Sequence, residues 1–364
     1  MKAFLLYAIS AVWCCFFFRT ANHSYQEKYT IPAIAQPPDD LFSSDEVLEL
    51  KFSGSIRELF NDRGNTPQYR PLTLTYKEKD NSETTIHLRA KTRGHFRRDK
   101  TNCTYPPILL NFHKGASGTS LFKDQDKLKL VVPCQGENFV VREYLVYKLY
   151  NLVTPTSFRA RLVRATFYDS VRKKEAATFY AMLLEDEQQM AARNKTNILN
   201  VKGVNGEGTE TETFLKMAVF QYMIGNTDWS VPYLHNIQLL SFGPSTIPYV
   251  VPYDFDHAGI VNAPYALPPE QLELKSTQER RFRGYCINDM KAFDAVIATF
   301  NRLKNDFYSV YTTCPLLDAK YVSATTRFLD QFYETINNPK KLKAEFSYPC
   351  TSRNNIVIKG LGND

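Results

Sequence analysis

The chain has 364 residues, of which 43% are hydrophobic and 23% are charged. This apolar content is enough to bury real hydrophobic cores, so it excludes a disordered or fibrous protein. Forty-five Lys and Arg residues against 38 Asp and Glu residues leave a net charge of +7. Such a surplus is too small in a chain of this length to indicate a nucleic-acid-binding protein, so no nucleic-acid partner is expected.

The N-terminus carries a candidate export signal. Residues 3–18 are apolar apart from Ser10 and follow Lys2. An apolar segment of this length is short for a membrane-spanning helix and typical of a secretory signal. We therefore expect residues 1–21 to be a signal peptide or, if uncleaved, a membrane anchor. The polar segment 22–44 is expected to be a linker, and the protein to be exported to the periplasm or cell envelope.

The cysteines further along the chain carry limited information. They are Cys103, Cys134, Cys286, Cys314 and Cys350. Because their number is odd, at least one thiol is expected to stay free or to pair between chains. The sequence contains no CxxC pair among them, which excludes a zinc ribbon and a thioredoxin-like redox site.

Residues 45–185 are predicted to be mostly β-strand. Segments such as PLTLTYK, TTIHLRAK and KLKLVV alternate apolar and polar residues or run apolar, with turn residues between them. One helix interrupts these strands, starting at Asn138 as its N-cap and ending before Pro155.

Residues 186–364 are predicted to be mostly helical. TETFLKMAVFQYMIG is apolar almost all round, as in a buried helix, and Gly225 is its expected C-terminal cap. Further helices are expected at 288–311 and 318–336. The predicted fold class is therefore α+β and two-lobed, with a strand-rich N-terminal lobe over 45–185, a helical C-terminal lobe and a cleft between them.

Acidic and amide side chains concentrate between residues 225 and 259. Asp228 follows the buried helix, Asn236 precedes the apolar run IQLL, and Asp254 and Asp256 follow the run IPYVV. If the two runs pair antiparallel, the start of one lies beside the end of the other, so these side chains converge. Amide and carboxylate oxygens are ligands that suit Mg²⁺ or Mn²⁺. The alternative is that these are ordinary turn residues.

Glu143 is a second candidate, because it lies in an apolar stripe of the predicted helix and needs a cationic partner from elsewhere. Lys127 and Lys129 share one face of the preceding strand, and either is a candidate for this partner. In kinases a Lys–Glu pair of this kind holds the α- and β-phosphates of ATP. An ordinary salt bridge between two elements is the alternative.

The densest basic stretch is LRAKTRGHFRRDK, residues 88–100. The chain has no GxGxxG motif, so the turn at Arg93 and Gly94 is the nearest candidate for a loop that covers phosphates. A solvated basic face is the alternative.

The order of these segments resembles that of the CotH-type atypical kinases, a family related at greater distance to the HipA-type kinases. The resemblance covers about half of the chain, roughly residues 86–259. The residues that carry it are LRAKTRGHFRR, LFKDQDKLKLVVPC, REYLVYKLYN, SFRARLVRATFYD, FYAMLLED, GNTDW with the later HN, and PYDFD. It implies a protein-kinase-like fold with an αC-like helix in the N-terminal lobe, and ATP with Mg²⁺ or Mn²⁺ as cofactors.

The resemblance also implies roles for single residues. Asp228 matches the catalytic aspartate that orients the acceptor hydroxyl, Asn236 and Asp254 match the metal ligands, and Asp256 is a second candidate ligand. Glu185 lies where the hinge between the lobes is expected. The residues expected to hold the nucleotide are Lys127, Lys129, Glu143, Arg93 and Glu185.

The chain departs from ordinary protein kinases in spacing and in motifs. Asp228 and Asn236 are eight positions apart, whereas ordinary kinases space the corresponding residues by five, so a longer catalytic loop is predicted. The HRD, DFG and APE motifs are absent, and nothing in the sequence identifies the acceptor.

Three functions remain open at this point. The first is an exported kinase that transfers phosphate from ATP to an unidentified protein or small molecule, with AMP transfer as a variant. The second is a non-catalytic envelope or coat scaffold with a kinase-like fold. The third is a metal-dependent hydrolase using Asp254, Asp256, His257 and His235. Contact with a membrane is expected only through the N-terminal segment, if it stays uncleaved.

Overall fold

The structure is a computed structural model that describes residues 41–113, 118, 120–287 and 289–347. These residues belong to one compact unit, Asp39–Asp364. The predicted signal or anchor, residues 1–21, and most of the predicted linker lie outside the described residues. None of the helices within the described ranges is both long and apolar enough to span a bilayer.

Strands dominate the first half of the described chain, and helices are more frequent in the second half. The strands are β1 (Leu48–Gly54), β2 (Arg70–Lys77), β3 (Glu83–Thr92), β4 (Ile108–Phe112), β5 (Lys127–Val131), β6 (Ala160–Asp169), β7 (Lys174–Leu184), β8 (Asn197–Ile198), β9 (Ile237–Ser241) and β10 (Tyr249–Pro252). The helices are α1 (Ile56–Asn61), α2 (Glu137–Val153), α3 (Glu187–Arg193), α4 (Thr211–Ile224), α5 (Asp294–Arg302), α6 (Lys304–Thr312), α7 (Ala319–Ile336) and α8 (Pro339–Phe346).

The first seven strands form a closed barrel in the order β1-β2-β3-β4-β5-β7-β6. Most neighbours pair antiparallel, and the parallel pair β1–β6 closes the barrel with Leu50 opposite Ala165. Strand β3 shows how the sequence builds the interior: Ile86, Leu88 and Ala90 are buried in the barrel core, while the residues between them are more exposed. This alternation has the period of two that a strand with one buried face requires. The barrel is therefore filled by side chains.

A second hydrophobic cluster lies outside the barrel. Helix α2 is central to it, because α2 contacts the barrel strands β6 and β7 as well as helices α4 and α6. The cluster also includes buried residues of the three-stranded sheet β10-β9-β8 and of helices α5, α6 and α7. The chain thus has a barrel core and a larger core in which α2 joins the barrel wall to the later elements.

The predicted fold class, an α+β two-lobed protein-kinase-like fold with a helical C-terminal lobe, is wrong. The strand-rich half closes into a seven-stranded barrel of mixed parallel and antiparallel pairs, and residues 39–364 form one compact unit. Local alternation predicts that a strand exists, but the closing pair β1–β6 joins segments far apart in the chain. No local pattern specifies such a pairing. The division into segments 45–185 and 186–364 stays a prediction.

Several local predictions are confirmed. The helix predicted to start at Asn138 is α2, but the predicted N-cap is wrong: the helix begins at Glu137, and Gly136 is the capping residue. The helices predicted at 288–311 and 318–336 correspond to α5 with α6 and to α7. Gly225 ends α4 with a φ of 68°, in the left-handed region. A Cβ atom at this position would lie 2.9 Å from the carbonyl oxygen of Thr277, so only glycine fits without a shift.

Candidate functional site

The site is built on the hairpin of β9 and β10. The two strands pair antiparallel, with Ile237 opposite Pro252. One step beyond this pair, the backbone N–H of Tyr253 donates to the carbonyl oxygen of Asn236 at 3.0 Å. The antiparallel pairing predicted from the sequence is thus confirmed, and it places Asn236 next to the segment that holds Asp254.

Asn236 and Asp254 both have left-handed backbone conformations, with φ values of 52° and 60°. Asn and Asp adopt this region more readily than most residues, but it still costs about 1–3 kcal/mol each and recurs at functional sites. At Asp254 helix α2 helps to hold this conformation, because the backbone N–H donates to the hydroxyl of Tyr147 at 2.9 Å. The two side chains therefore leave the mouth of the hairpin in directions that an ordinary extended strand end does not allow.

Asp228 is fixed against the same hairpin by hydrogen bonds to both carboxylate oxygens. Its Oδ1 lies 2.8 Å from Nε2 of His235, and Nδ2 of Asn236 donates to its Oδ2 at 3.1 Å and to its carbonyl oxygen at 2.8 Å. The intervening loop closes through backbone hydrogen bonds between Ser230 and His235. This closure brings Asp228 and Asn236 into contact although they are eight positions apart in the sequence.

Two oxygen-bearing side chains in this cluster offer metal-ligand oxygens that no described residue occupies. The amide nitrogen of Asn236 is committed to Asp228, while its Oδ1 receives no hydrogen bond from the described residues. The carboxylate of Asp254 likewise forms no hydrogen bond or ion pair within the described part of the chain. One amide oxygen and one carboxylate are a donor set that fits a hard divalent cation. Over the described ranges, however, no three His, Cys, Asp or Glu side chains are grouped to hold a metal ion.

Arg97 is the cation that meets the buried carboxylates. Its Nη1 lies 3.8 Å from Oε2 of Glu143 and 3.6 Å from Oδ2 of Asp256, which also accepts a hydrogen bond from the hydroxyl of Tyr265 at 3.2 Å. The Arg97 side chain is only 13% exposed, and its Nη2 donates to the carbonyl oxygen of Val132 at 2.6 Å. Asp256 is therefore held by Arg97 and Tyr265, whereas Asp254 is not.

The predicted ion pair of Glu143 with Lys129 or Lys127 is not formed, because Arg97 occupies that place. Lys127 is exposed on the outer face of β5. Lys129 lies on the same face with its Nζ 5.6 Å from the ring centroid of Tyr253. Burial lowers the pKa of Lys129, and the neighbouring charge of Arg93 lowers it further.

Two acids of the site, Glu143 and Asp254, have raised pKa values. Burial raises the pKa of Glu143 well above its usual 4.5, and the nearby charge of Asp256 adds to this effect, while Arg97 opposes it. The pKa of Asp254 is raised for the same reasons, in the same order, with Arg97 and Arg93 opposing. Three carboxylates share one partly desolvated region, which Arg97 only partly neutralises.

A pH dependence of stability follows from these shifts. A carboxyl group with a raised pKa binds protons more tightly in the folded state, so the free energy of unfolding falls as pH rises from about 4.5 through the folded-state pKa. We expect Glu143→Gln to reduce this loss in urea unfolding measured between pH 5 and 8. The control is Glu58→Gln, at a carboxylate that is 61% exposed; equal pH slopes for wild type and Glu143→Gln would contradict the prediction.

Glu185, the predicted hinge residue, has a carboxylate occupied by internal contacts. Its two oxygens accept hydrogen bonds from Nε and Nη2 of Arg193 at 3.0 and 2.9 Å. Oε2 also accepts from the backbone N–H of Arg159 at 2.9 Å. The side chain is 4% exposed, so this is a buried, bidentate ion pair between the end of β7 and α3.

Sequence reasoning missed the roles of Arg97, Tyr147 and Tyr265. Arg97 lies in the basic stretch that had been noted, but nothing local to it indicates a contact with Glu143 on α2. Tyr147 follows Glu143 by one helical turn, so the two share a helix face; this spacing is a usable signal for a polar contact at Asp254. Tyr265 carries no comparable signal, because its loop has no regular pattern.

Comparison with known proteins gives one solved structure to report. No protein-family model matches the chain, and no curated protein matches it. A structure that the chain resembles is that of CtkA, a proinflammatory kinase of Helicobacter pylori, with 14% sequence identity and a TM-score of 0.39. The match covers 68% of this chain and 92% of that one.

Proposed function

We propose that the protein is an ATP-dependent phosphotransferase that uses Mg²⁺ or Mn²⁺. One observation carries the proposal: Asp228 and Asn236 are in contact beside the segment of Asp254 at the mouth of the β9–β10 hairpin, and the side-chain oxygens of Asn236 and Asp254 accept no hydrogen bond from the described residues. A fixed carboxylate beside two unused oxygen donors has the composition of a phosphoryl-transfer site.

The roles follow from the contacts. Asn236 Oδ1 and the carboxylate of Asp254 are the proposed metal ligands, and the phosphates of ATP with water complete the coordination, as is usual for Mg²⁺. When bound, the metal neutralises phosphate charge. Asp228, oriented by His235 and Asn236, is proposed to orient the acceptor hydroxyl and to accept its proton. Asp256 is not proposed as a metal ligand, because its carboxylate is already held by Arg97 and Tyr265.

Lys129 and Arg93 are proposed to hold the phosphates. Both influence the electrostatics at Asp254, and Lys129 is partly desolvated, as its lowered pKa indicates. A phosphate beside a desolvated ammonium group restores the favourable interactions that burial removed. Neither Lys127, which is exposed, nor Glu185, whose carboxylate is held by Arg193, is given a part in this scheme.

The wider assignment is to an exported kinase of the CotH type that acts on a hydroxyl of a protein or small molecule. The order of the segments that resemble this family supports it. The disulfide between Cys103 and Cys134 supports an oxidising compartment, as expected after export, because such bonds are rare in the cytosol. Cys314 is a free thiol within the described chain. Transfer of AMP in place of phosphate would use the same metal ligands. The released product distinguishes the two, since phosphate transfer releases ADP and AMP transfer releases pyrophosphate.

Thermal unfolding of the full chain with ATP and Mn²⁺, separately and together, tests the proposal. A ligand that binds only the folded state raises the free energy of unfolding, by about 2.7 kcal/mol at a concentration 100 times Kd, and this raises the melting temperature. We expect a rise that needs both ligands and that disappears in Asp254→Asn. Asp306→Asn, at an exposed position on α6, is the matched control and should keep the rise.

The other outcomes favour the competing functions. A rise with Mn²⁺ alone, unaffected by ATP, would contradict the proposal and favour the hydrolase. A folded protein whose melting temperature responds to neither ligand would contradict it and favour the scaffold.

A further inference from the structure

Basic side chains lie on the outer faces of barrel strands β3 and β5, which flank β4. On β3, Arg89 and Lys91 alternate with residues that fill the barrel core, and Arg93 follows one residue after the strand ends. On β5, Lys127 and Lys129 alternate in the same way. These five residues are called the basic stripe.

The strand register makes the stripe continuous. Arg89 is opposite Asn111 of β4, which is opposite Lys127 of β5. The second row runs from Lys91 through Leu109 to Lys129. The positions in these two rows therefore lie side by side on one face, at the spacing of neighbouring strands, about 5 Å.

The outer part of the stripe, Arg89, Lys91 and Lys127, forms no ion pair within the described residues. The outward positions of the two rows are Arg89, Lys91, Leu109, Asn111, Lys127 and Lys129, and none of them is acidic. Arg89 donates to the side-chain oxygen of Asn111 at 3.2 Å. Three neighbouring cations without an ion-pairing carboxylate among the described residues attract an anionic partner.

The stripe leads to the candidate site. Lys129 and Arg93 form the end of the stripe nearest the candidate site, where the charge of each interacts with that of Asp254. Asp186 and Glu187 also lie near Lys129 and raise its pKa, against the larger effect of burial. From Arg89 to Arg93 the stripe is about 13 Å long, and it is about 10 Å wide across three strands. This is the size of an extended segment of four or five residues.

The aromatic residue beside the outer part of the stripe disfavours nucleic acid as the partner. Proteins that bind single strands stack bases on exposed aromatic rings. The ring of Tyr69 is the aromatic group beside Arg89 and Lys91, and both cations already lie over it, 5.4 and 4.7 Å from its centroid. An acidic polypeptide needs no stacking surface, and its carboxylates suit Arg and Lys directly.

We propose that the outer part of the basic stripe, Arg89, Lys91 and Lys127, binds an acidic segment of a protein partner, while Lys129 and Arg93 stay with the nucleotide. The binding surface does not depend on the proposed reaction. Its further role, to present a hydroxyl of that segment to Asp228, rests on the proposed function and makes the acceptor an acidic protein.

Fluorescence anisotropy with a labelled peptide of about twelve alternating Glu and Ser residues tests the binding, without nucleotide and at low salt. The double substitution Arg89→Gln with Lys91→Gln removes two charges of the stripe outside the proposed machinery. We expect it to weaken binding about tenfold, since each exposed charge contributes modestly and salt screens it. The matched control is Lys340→Gln with Lys343→Gln on the exposed side of α8, which should leave binding unchanged.

Each other result overturns the inference. Equal losses in the two double variants would show non-specific charge attraction. Tighter binding of a single-stranded oligothymidylate of equal charge would assign the stripe to nucleic acid, and absence of peptide binding would remove it as a docking surface. Because Asp254→Asn should still bind the peptide, failure of the proposed reaction and failure of the stripe are told apart.

Discussion

Replacing Asp228 by Asn is expected to lower ATP turnover by about 10²- to 10⁴-fold while nucleotide and metal binding persist. Asn keeps the shape of the side chain but cannot accept the proton of the acceptor hydroxyl. It also presents a donor where His235 and Asn236 now meet two carboxylate oxygens. The measurement is ADP release at saturating ATP and Mn²⁺, together with the melting temperature in the presence of both ligands.

The two readouts separate the role of Asp228 from that of the metal ligands. Asp254→Asn is expected to lose both turnover and the ligand-dependent rise in melting temperature, whereas Asp228→Asn should lose only turnover. Asp306→Asn serves again as the surface control. An Asp228→Asn variant with turnover close to wild type would contradict its assignment as the catalytic residue.

Replacing Arg193 by Met is expected to lower the free energy of unfolding by about 3–5 kcal/mol, because it leaves a buried carboxylate without its cation. Arg193 meets Glu185 through two hydrogen bonds and also donates to the carbonyl oxygens of Pro155 and Ser157. Urea unfolding followed by circular dichroism measures the loss. The alternative, that Glu185 holds the nucleotide, predicts instead that an Arg193→Met protein that still folds binds ATP more weakly.

The double variant Arg193→Met with Glu185→Leu tests the stated cause. If the unpaired buried charge dominates, removing the carboxylate as well should recover part of the stability. Lys341→Met is the control, since its partner Glu334 is 67% exposed and such pairs contribute at most about 1 kcal/mol. A loss in Arg193→Met no larger than in Lys341→Met would contradict the assignment of Glu185 to a buried structural pair.

The convergence at the hairpin was predictable because it depends on short-range pairing. The runs IQLL and IPYVV are separated by a turn-rich segment, and antiparallel pairing of such neighbours places Asn236 beside the segment of Asp254. The loop between Asp228 and Asn236 is equally local, closed by Ser230 and His235. What the pattern did not contain is the left-handed backbone at Asn236 and Asp254, which the surrounding contacts impose.

The partner of Glu143 shows where local reasoning stops. The apolar stripe of α2 correctly required a cation from another element, and proximity in sequence favoured Lys129 or Lys127. Arg97 takes the place because the turn that carries it is held near the start of α2. The Cys103–Cys134 disulfide and the hydrogen bond from Arg97 to Val132 both tie these segments together. Lys129 is consequently left for another ligand.

The sequence by itself determined the positions of most strands and helices, the cap at Gly225 and the meeting of Asn236 with Asp254. Each of these depends on hydrogen bonds or side-chain periodicity within a short stretch of chain. Only the tertiary structure decided the closure of the barrel by β1 and β6, the pairing of Arg97 with Glu143 and Asp256, and the basic stripe across β3, β4 and β5. These features join segments whose approach depends on how the whole chain buries its apolar faces, and no local pattern encodes that packing.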